Sequence, residues 1–449
     1  MSKLTHADAA WLHMELPDNL MMITGLLYLA QTPGREHMEA VLEHRLCRFE
    51  RFKMKVVDTR FGVGAPHWER DENFSVSRHL VYEELEDCSE ASLLKRCGEL
   101  MSERLDRNRP LWEFRVFPGI EGKACMVVRL HHAIADGIAL MKVLLTLCDQ
   151  NADAPMPRAE KALLEEHHVS SFEQAKQLTR KFLHESHDLL LHPHQAGEVA
   201  YKGAMAGKAL TRVLALPPDS PNAFRGELSR KKVTAVSPPY ALAEVKKIGK
   251  RLGCTINDIL MGVLAGGLGR TLQRFQEVPE QLEIRAVVPV DLRAGKKIEE
   301  LGNLFGLVFL TLPVGLRDAA ERIQTVHTYM QQLKCSAEAV VTFELLSTVG
   351  ALPSAVERPI IEWFGNKATA VVTNLPGPRE PLYIGGAQME GVMYWVPQSG
   401  RLGLGVSLMS YAGQIRLGVT SDANLIPDPG VIVEDFQKAY QETKQLETI

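Results

Sequence analysis

The 449-residue sequence has no Cys-x-x-Cys pair, no long apolar run and no excess of basic residues. Each absence removes a class of function. The seven cysteines (Cys47, Cys88, Cys97, Cys125, Cys148, Cys254 and Cys335) are scattered and odd in number. They offer neither a zinc-finger spacing nor a disulfide framework, and they predict free thiols in a reducing cytoplasm. No segment reaches the ~18 uncharged apolar residues of a spanning helix. The protein can touch a membrane but is not expected to cross it. The apolar run 20–30 follows Glu15 and Asp18, where a signal peptide would be basic, so it reads as a first strand. No lipidation signal stands at either end. A formal net charge of −4, without a Lys/Arg stripe, argues against a nucleic-acid partner. There is no G-x-S-x-G elbow and no G-x-x-x-x-G-K-[ST] loop.

What remains is a globular composition, 45% apolar and 24% charged, long enough for two domains. Strand-like runs at 21–29, 53–58 and 124–130 alternate with helix-like runs at 37–48, 91–104 and 138–148. Residues 150–225 are long-helix material ending in "LPPDSPNAFRG", a boundary signal. The reading is an N-terminal domain over 1–180, a helical crossover over 181–225 and a C-terminal domain over 226–449. In the last, a helix is expected at 241–252. Thr255 and Asp258 have capping-box spacing ahead of a second helix. That helix carries Gly262, Ala265, Gly266 and Gly269. Each glycine costs up to ~1 kcal/mol of helix stability, so something must approach the backbone there. Strands are expected at 283–288, 304–312 and 368–373, and a hairpin at 406–419 turning near Ala412-Gly413. This is a mixed α/β fold in α+β layers.

The chemistry concentrates in "RLHHAIADGI" (129–138), where an apolar strand gives way to a helix. On a strand, His131 and His132 point to opposite faces, so one meets a substrate and the other supports the loop. His132 and Asp136 are four apart, which suits one face of a helical turn. Gly137 permits a tight turn or a close ligand. One reading makes an imidazole a general base, unperturbed pKa ~6.5, worth roughly 10²–10⁴ in rate. A second makes the cluster a metal site. It needs more ligands, and His167, His168, His184, His187, His192 and His194 read as a solvated helix face, so no metal is expected. In the third reading both histidines are structural.

HHxxxDG is the signature of the CoA-dependent acyltransferases, which include chloramphenicol acetyltransferase and peptide-synthetase condensation domains. The accompanying motifs "RPLWEF" (109–114), "TINDILMGVLAGGLGRTL" with Asn257-Asp258, "VPVDLR" (288–293), "GNLFG" (302–306) and "VVTNLPGPREPLYIGG" (371–386) narrow it. With "LTHADAAWL" near the start and "SYAGQIRLGVTSD" (410–422), the chain resembles the bacterial wax ester synthase/diacylglycerol acyltransferase family over nearly its whole length.

The resemblance implies two similar chloramphenicol-acetyltransferase-like domains joined by a crossover, with a substrate tunnel between them. It implies acyl-CoA as a substrate, no cofactor, and a fatty alcohol or diacylglycerol as acceptor. His132 would be the base and His131 its support, without a covalent acyl-enzyme. Asp136 would pair with an arginine, and Arg45, Arg48, Arg51 and Arg293 are candidates. It also implies a cytoplasmic enzyme attached peripherally to the inner membrane or to lipid inclusions, and leaves a homodimer open. The alternatives are a condensation-like acyltransferase with another alcohol or amine acceptor, and a non-catalytic lipid-inclusion protein.

The other motifs carry paired readings. Pro110 and Trp112 line the site or anchor the segment before the catalytic strand. Asn257 donates to an oxyanion or caps its helix. Asn374 is a site residue or a turn residue before Pro-Gly. Arg230-Lys231-Lys232 and Lys246-Lys247 meet the CoA phosphates or are solvated. Small residues in 347–355 would widen an acyl tunnel. Arg225 stands where many relatives have asparagine.

Overall fold

The computed structural model describes residues 2–57, 66–157, 196–293, 302–350, 354–398 and 400–446, and in them the chain builds two large mixed sheets. The first takes β1 (Met22–Leu29), β2 (Leu80–Tyr82), β3 (Trp112–Pro118) and β4 (Ala124–His131). The second takes β5 (Lys232–Val236), β6 (Ile284–Asp291), β7 (Phe305–Leu312) and β8 (Ala370–Pro376). The chain then returns to the first sheet as β9 (Tyr383–Ile384) and β10 (Ala387–Trp395), giving it the order β9-β10-β1-β4-β3-β2. β11 (Leu404–Tyr411) and β12 (Gln414–Asp422) complete the second, ordered β7-β6-β8-β11-β12-β5, and Tyr240–Ala241 also pairs with β12. A small third sheet joins Ser2–Lys3, His67–Arg70 and Met54–Val57. The fold is thus mixed α/β. The expected unit 226–449 nevertheless lends two strands to the sheet of unit 1–180, so the sheets do not divide where the chain does.

β4 shows why its sequence is a continuous apolar run. All eight of its residues are buried. Met126, Val128 and Leu130 enter the N-terminal core. Cys125 and Val127 enter another, shared with Met393 and Trp395 of β10 and Met409 of β11. Burial on both faces removes the usual alternation. Each such Val, Leu or Met contributes roughly 1.5–3 kcal/mol, so the strand that ends in the histidines is firmly held.

The helices that matter below are α1 (His6–His13), α2 (Gly137–Thr146), α3 (Ala196–Ala215), α4 (Leu242–Leu252), α5 (Ile256–Gln273), α6 (Ala319–Lys334) and α7 (Gly430–Gln445). α5 is the buried axis of the second half, and its capping box forms as the spacing predicts. Its glycines are explained by what touches them. A Cβ on Gly262 would lie 2.6 Å from Ile323 of α6. One on Gly266 would strike the Arg322 guanidinium, one on Gly267 the α7 backbone at Phe436, and one on Gly269 the Val314 carbonyl. The helix is pared to glycine so that α6, α7 and the Val314 loop can approach it.

The hairpin β11–β12 turns through Ala412 (φ 47°) and Gly413 (φ 79°), the left-handed pair of a two-residue hairpin loop. The expected helix 37–48 is present as Arg35–Val41 followed by a π turn over Leu42–Leu46. Of the crossover, α3 and the segment after it are described. There Arg225 donates to the carbonyls of Asn366 and Ala368, fastening the chain where β8 begins. Among the described residues, no single helix is long and apolar enough to cross a membrane.

Candidate active site

β4 ends at His131, and its ladder carries one residue further. The His131 N–H donates to the Leu111 carbonyl and the His132 N–H to the Met21 carbonyl. The two side chains consequently diverge. His131 Nδ1 accepts the Ala133 N–H at 3.1 Å, so its proton is on Nε2, which donates to Glu15 at 3.1 Å. Burial opposes ionisation of Glu15, but the hydrogen bond from His131, with the charges of Arg107 and Arg104 behind it, holds its carboxyl below the usual value. His131 is thereby committed to holding the loop.

His132 turns the other way. Its Nδ1 lies 2.9 Å from Asn303 Oδ1. Its ring stacks under Trp11 of α1, centroids 3.9 Å apart, with Phe305 at 5.7 Å. Burial pushes its pKa down to about 4, against the opposing pull of Asp136 and of the Asn303 hydrogen bond. The imidazole is therefore neutral at neutral pH, and a neutral imidazole can take a proton.

Asp136 does not face this ring; it caps α2, accepting the Ala139 N–H at 3.0 Å. Of the four candidate arginines, Arg293 is its partner. The guanidinium makes a two-pronged ion pair with the carboxylate, and Asp136 also accepts the Leu304 N–H at 3.0 Å. Arg293 and the Asp136 N–H both reach the Gly302 carbonyl. Gly302 has φ 147°, a conformation L-residues rarely adopt. Arg51 instead donates to the Ile134 carbonyl and pairs with Asp8. Arg45 pairs with Asp149, and Arg48 lies over Phe49. One buried network thus ties the HHxxxDG loop to the segment 302–304 of the second half.

The metal reading requires His131, His132 and Asp136 to converge. They are turned instead to Glu15, Asn303 and Arg293. Among the described residues, the group close enough to share an ion is Cys254, Asp258 and His327. There Asp258 already accepts from His327 and from the Thr255 N–H.

Pro110 and Trp112 are buried. The Trp112 indole stacks on His79, centroids 4.3 Å apart, and donates to the Phe52 carbonyl at 2.8 Å. That placement, beside Leu130 in register, fits the anchoring reading. Gly137 opens α2 without positive φ, and a Cβ there would make only an ordinary contact with Leu375. The tight-turn reading therefore has no support in its backbone. Asn257 and Asn374 meet each other: Asn374 Nδ2 donates to Asn257 Oδ1. Asn374 is half-buried on β8 and Asn257 is exposed at the start of α5.

Of the proposed phosphate ligands, Lys232 is buried in an ion pair with Asp422 at 2.9 Å, which removes it. Lys246 and Lys247 are exposed on α4. The crossover histidines from His167 to His194, and residues 351–353, lie outside the described residues.

Three residues were missed as site candidates: Trp11, Glu15 and Asn303. Trp11 and Asn303 stand in quoted motifs, but no local spacing marks them.

Comparison with known proteins gives the chain its relatives. The model of the wax ester synthase/diacylglycerol acyltransferase catalytic domain matches residues 4–260, and that of the WS/DGAT C-terminal domain matches 301–444. A probable diacylglycerol O-acyltransferase of Mycobacterium tuberculosis is 26% identical over 453 residues, spanning 98% of this chain and 95% of the relative. Among solved structures, the wax ester synthase/diacylglycerol acyltransferase of Marinobacter aquaeolei aligns over 100% of both chains with a TM-score of 0.72 and 20% identity. The first condensation domain of the calcium-dependent antibiotic synthetase aligns over 100% of this chain and 96% of its own, with a TM-score of 0.65 and 15% identity.

Proposed function

Since the chain belongs to the wax ester synthase/diacylglycerol acyltransferase family and is an acyltransferase, we propose that it moves a long-chain acyl group from acyl-CoA to the hydroxyl of a fatty alcohol or a diacylglycerol. The observation that carries the reading is the buried, neutral His132 at the end of β4, held under Trp11 with its pKa pushed down to about 4. In the proposed step His132 takes the hydroxyl proton as the oxygen attacks the thioester carbonyl. The tetrahedral oxyanion collapses, the C–S bond breaks, and the imidazolium returns its proton to the CoA thiolate. The products are ester and CoA thiol, with no acyl-enzyme. Asn257 is the proposed oxyanion donor: its Oδ1 is taken up by Asn374, which orients its amide nitrogen. Asp136 and Arg293 hold the loop and do no chemistry. The enzyme would work peripherally at a cytoplasmic membrane face or lipid inclusion, where both lipid substrates partition.

The test is release of CoA thiol from a long-chain acyl-CoA, with hexadecanol or diacylglycerol as acceptor. Turnover should need the acceptor and fall roughly 10²–10⁴-fold in His132→Ala. The faster acceptor identifies the ester made. A folded enzyme that releases no thiol with either acceptor refutes the reading.

A further inference from the structure

A neutral imidazole acts as a base only through the nitrogen that lacks a proton, so the chemistry depends on which tautomer His132 holds. The neighbours of His132 decide this, through Asn303. The Asn303 amide nitrogen lies 2.8 Å from Asp8 Oδ1 and 3.0 Å from the His132 carbonyl. Both are acceptors. Turning the amide over would set its oxygen against a carboxylate and a carbonyl at once, so its orientation is fixed. Its oxygen is therefore what faces His132 Nδ1 at 2.9 Å, and an oxygen can only accept there. His132 must carry its proton on Nδ1.

Asp8 is itself immobilised. It is fully buried in α1, its carboxylate pairs with Arg51 at 3.4 Å, and its N–H donates to Thr5 Oγ1. Arg51 in turn donates to Ile134 inside the HHxxxDG loop. The remaining charged or titratable groups around the loop are engaged elsewhere: His131 with Glu15, and Asp136 with Arg293.

We infer that Asn303 is a positioning residue that selects the Nδ1–H tautomer of His132 and so makes Nε2 the atom that takes the acceptor's proton. The inference rests on the acyl-transfer reading only for the identity of that proton. The selector comes from the second half of the chain and its anchor, Asp8, from the first helix. The base is thus set only when both halves are docked.

The direct test is nitrogen NMR of the full-length protein labelled with ¹⁵N-histidine, the His132 signals assigned by their loss in His132→Gln. Nδ1 should give the protonated, pyrrole-type signal and Nε2 the bare, pyridine-type signal. The reverse assignment overturns the inference. This measurement needs no turnover, so it stands or falls separately from the thiol assay. In kinetics, Asn303→Ala should lower kcat about tenfold, the worth of one buried hydrogen bond, with the acyl-CoA KM nearly unchanged. An unchanged kcat overturns the inference. In the same spectra, Asn303→Ala should bring pyridine-type character to Nδ1, because the ring then samples both tautomers. A purely structural Asn303 would leave the nitrogen signals of His132 where they are. If Asn303→Ala does not fold, the nitrogen assignment in the native protein decides.

Discussion

Replacing Asp136 is the perturbation whose outcome separates support from chemistry. The carboxylate accepts from the Ala139 N–H, the Leu304 N–H and both terminal nitrogens of Arg293, and both side chains of the pair are under a tenth exposed. Removing one member of a buried pair costs about 3–5 kcal/mol, because the other charge stays buried. Arg293 keeps only Asp291 and the Gly302 carbonyl to answer it. Asp136→Asn retains a capping oxygen for α2, so its loss should be that of the pair and of the Leu304 hydrogen bond. Asp136→Ala should lose about 1 kcal/mol more, the worth of the cap. Asp136→Asn combined with Arg293→Met should be less damaging than the two single losses summed, by about 1–3 kcal/mol. Urea unfolding at constant slope reads these differences, and thiol release per folded molecule reads activity. The reasoning is refuted if Asp136→Asn unfolds at the wild-type urea concentration yet has lost turnover. A carboxylate that costs nothing to the fold but everything to the rate would be acting on the substrate.

Two further expectations follow from the same geometry. His132 has a folded pKa pushed down to about 4, so as pH falls the unfolded chain binds the proton first. Stability from this group is complete above about pH 6.5 and is lost on descent toward about pH 4, on the order of 3 kcal/mol in all. The stability difference between wild type and His132→Gln, measured by urea midpoints across that window, should shift by this amount, and a constant difference would sink the idea. Trp112→Phe should lower stability by about 1 kcal/mol, the value of its hydrogen bond to the Phe52 carbonyl, and leave acyl-CoA KM unchanged. A raised KM would return Trp112 to the substrate wall.

The parts of the site legible in the sequence are those made by neighbours in the chain. A buried strand running into Asp-Gly and an amphipathic helix announces both histidines; the spacing puts Asp136 on one face with His132, whereas it caps α2 three residues on. The glycines of α5 likewise announce a close approach, although not that Ile323, Arg322, Phe436 and Val314 make it. The remainder is long-range. Arg293 was one of four equal arginines until the fold brought it 157 residues back to Asp136. Asn303 reaches His132 across 171 residues, and Glu15 reaches His131 across 116. Asn257 and Asn374 stand in separate motifs, each with a local reading, and only the register of β8 beside β11 and the start of α5 makes them a pair. β10 is not among the strands expected from the sequence, and which sheet receives it is not written locally.

That strand has a consequence for how the protein comes into being. β1 lies between β4 and β10, with Thr24 facing Trp395 and Leu29 facing Met389. Until residue 395 has left the ribosome, β1 is an open edge whose free N–H and C=O groups invite the wrong partner. The first sheet to be synthesised is therefore among the last to close, through pairings of very large sequence separation that form slowly. A nascent chain of this protein spends most of its translation with an unfinished hydrophobic layer, and chaperones that shield sheet edges should find it there.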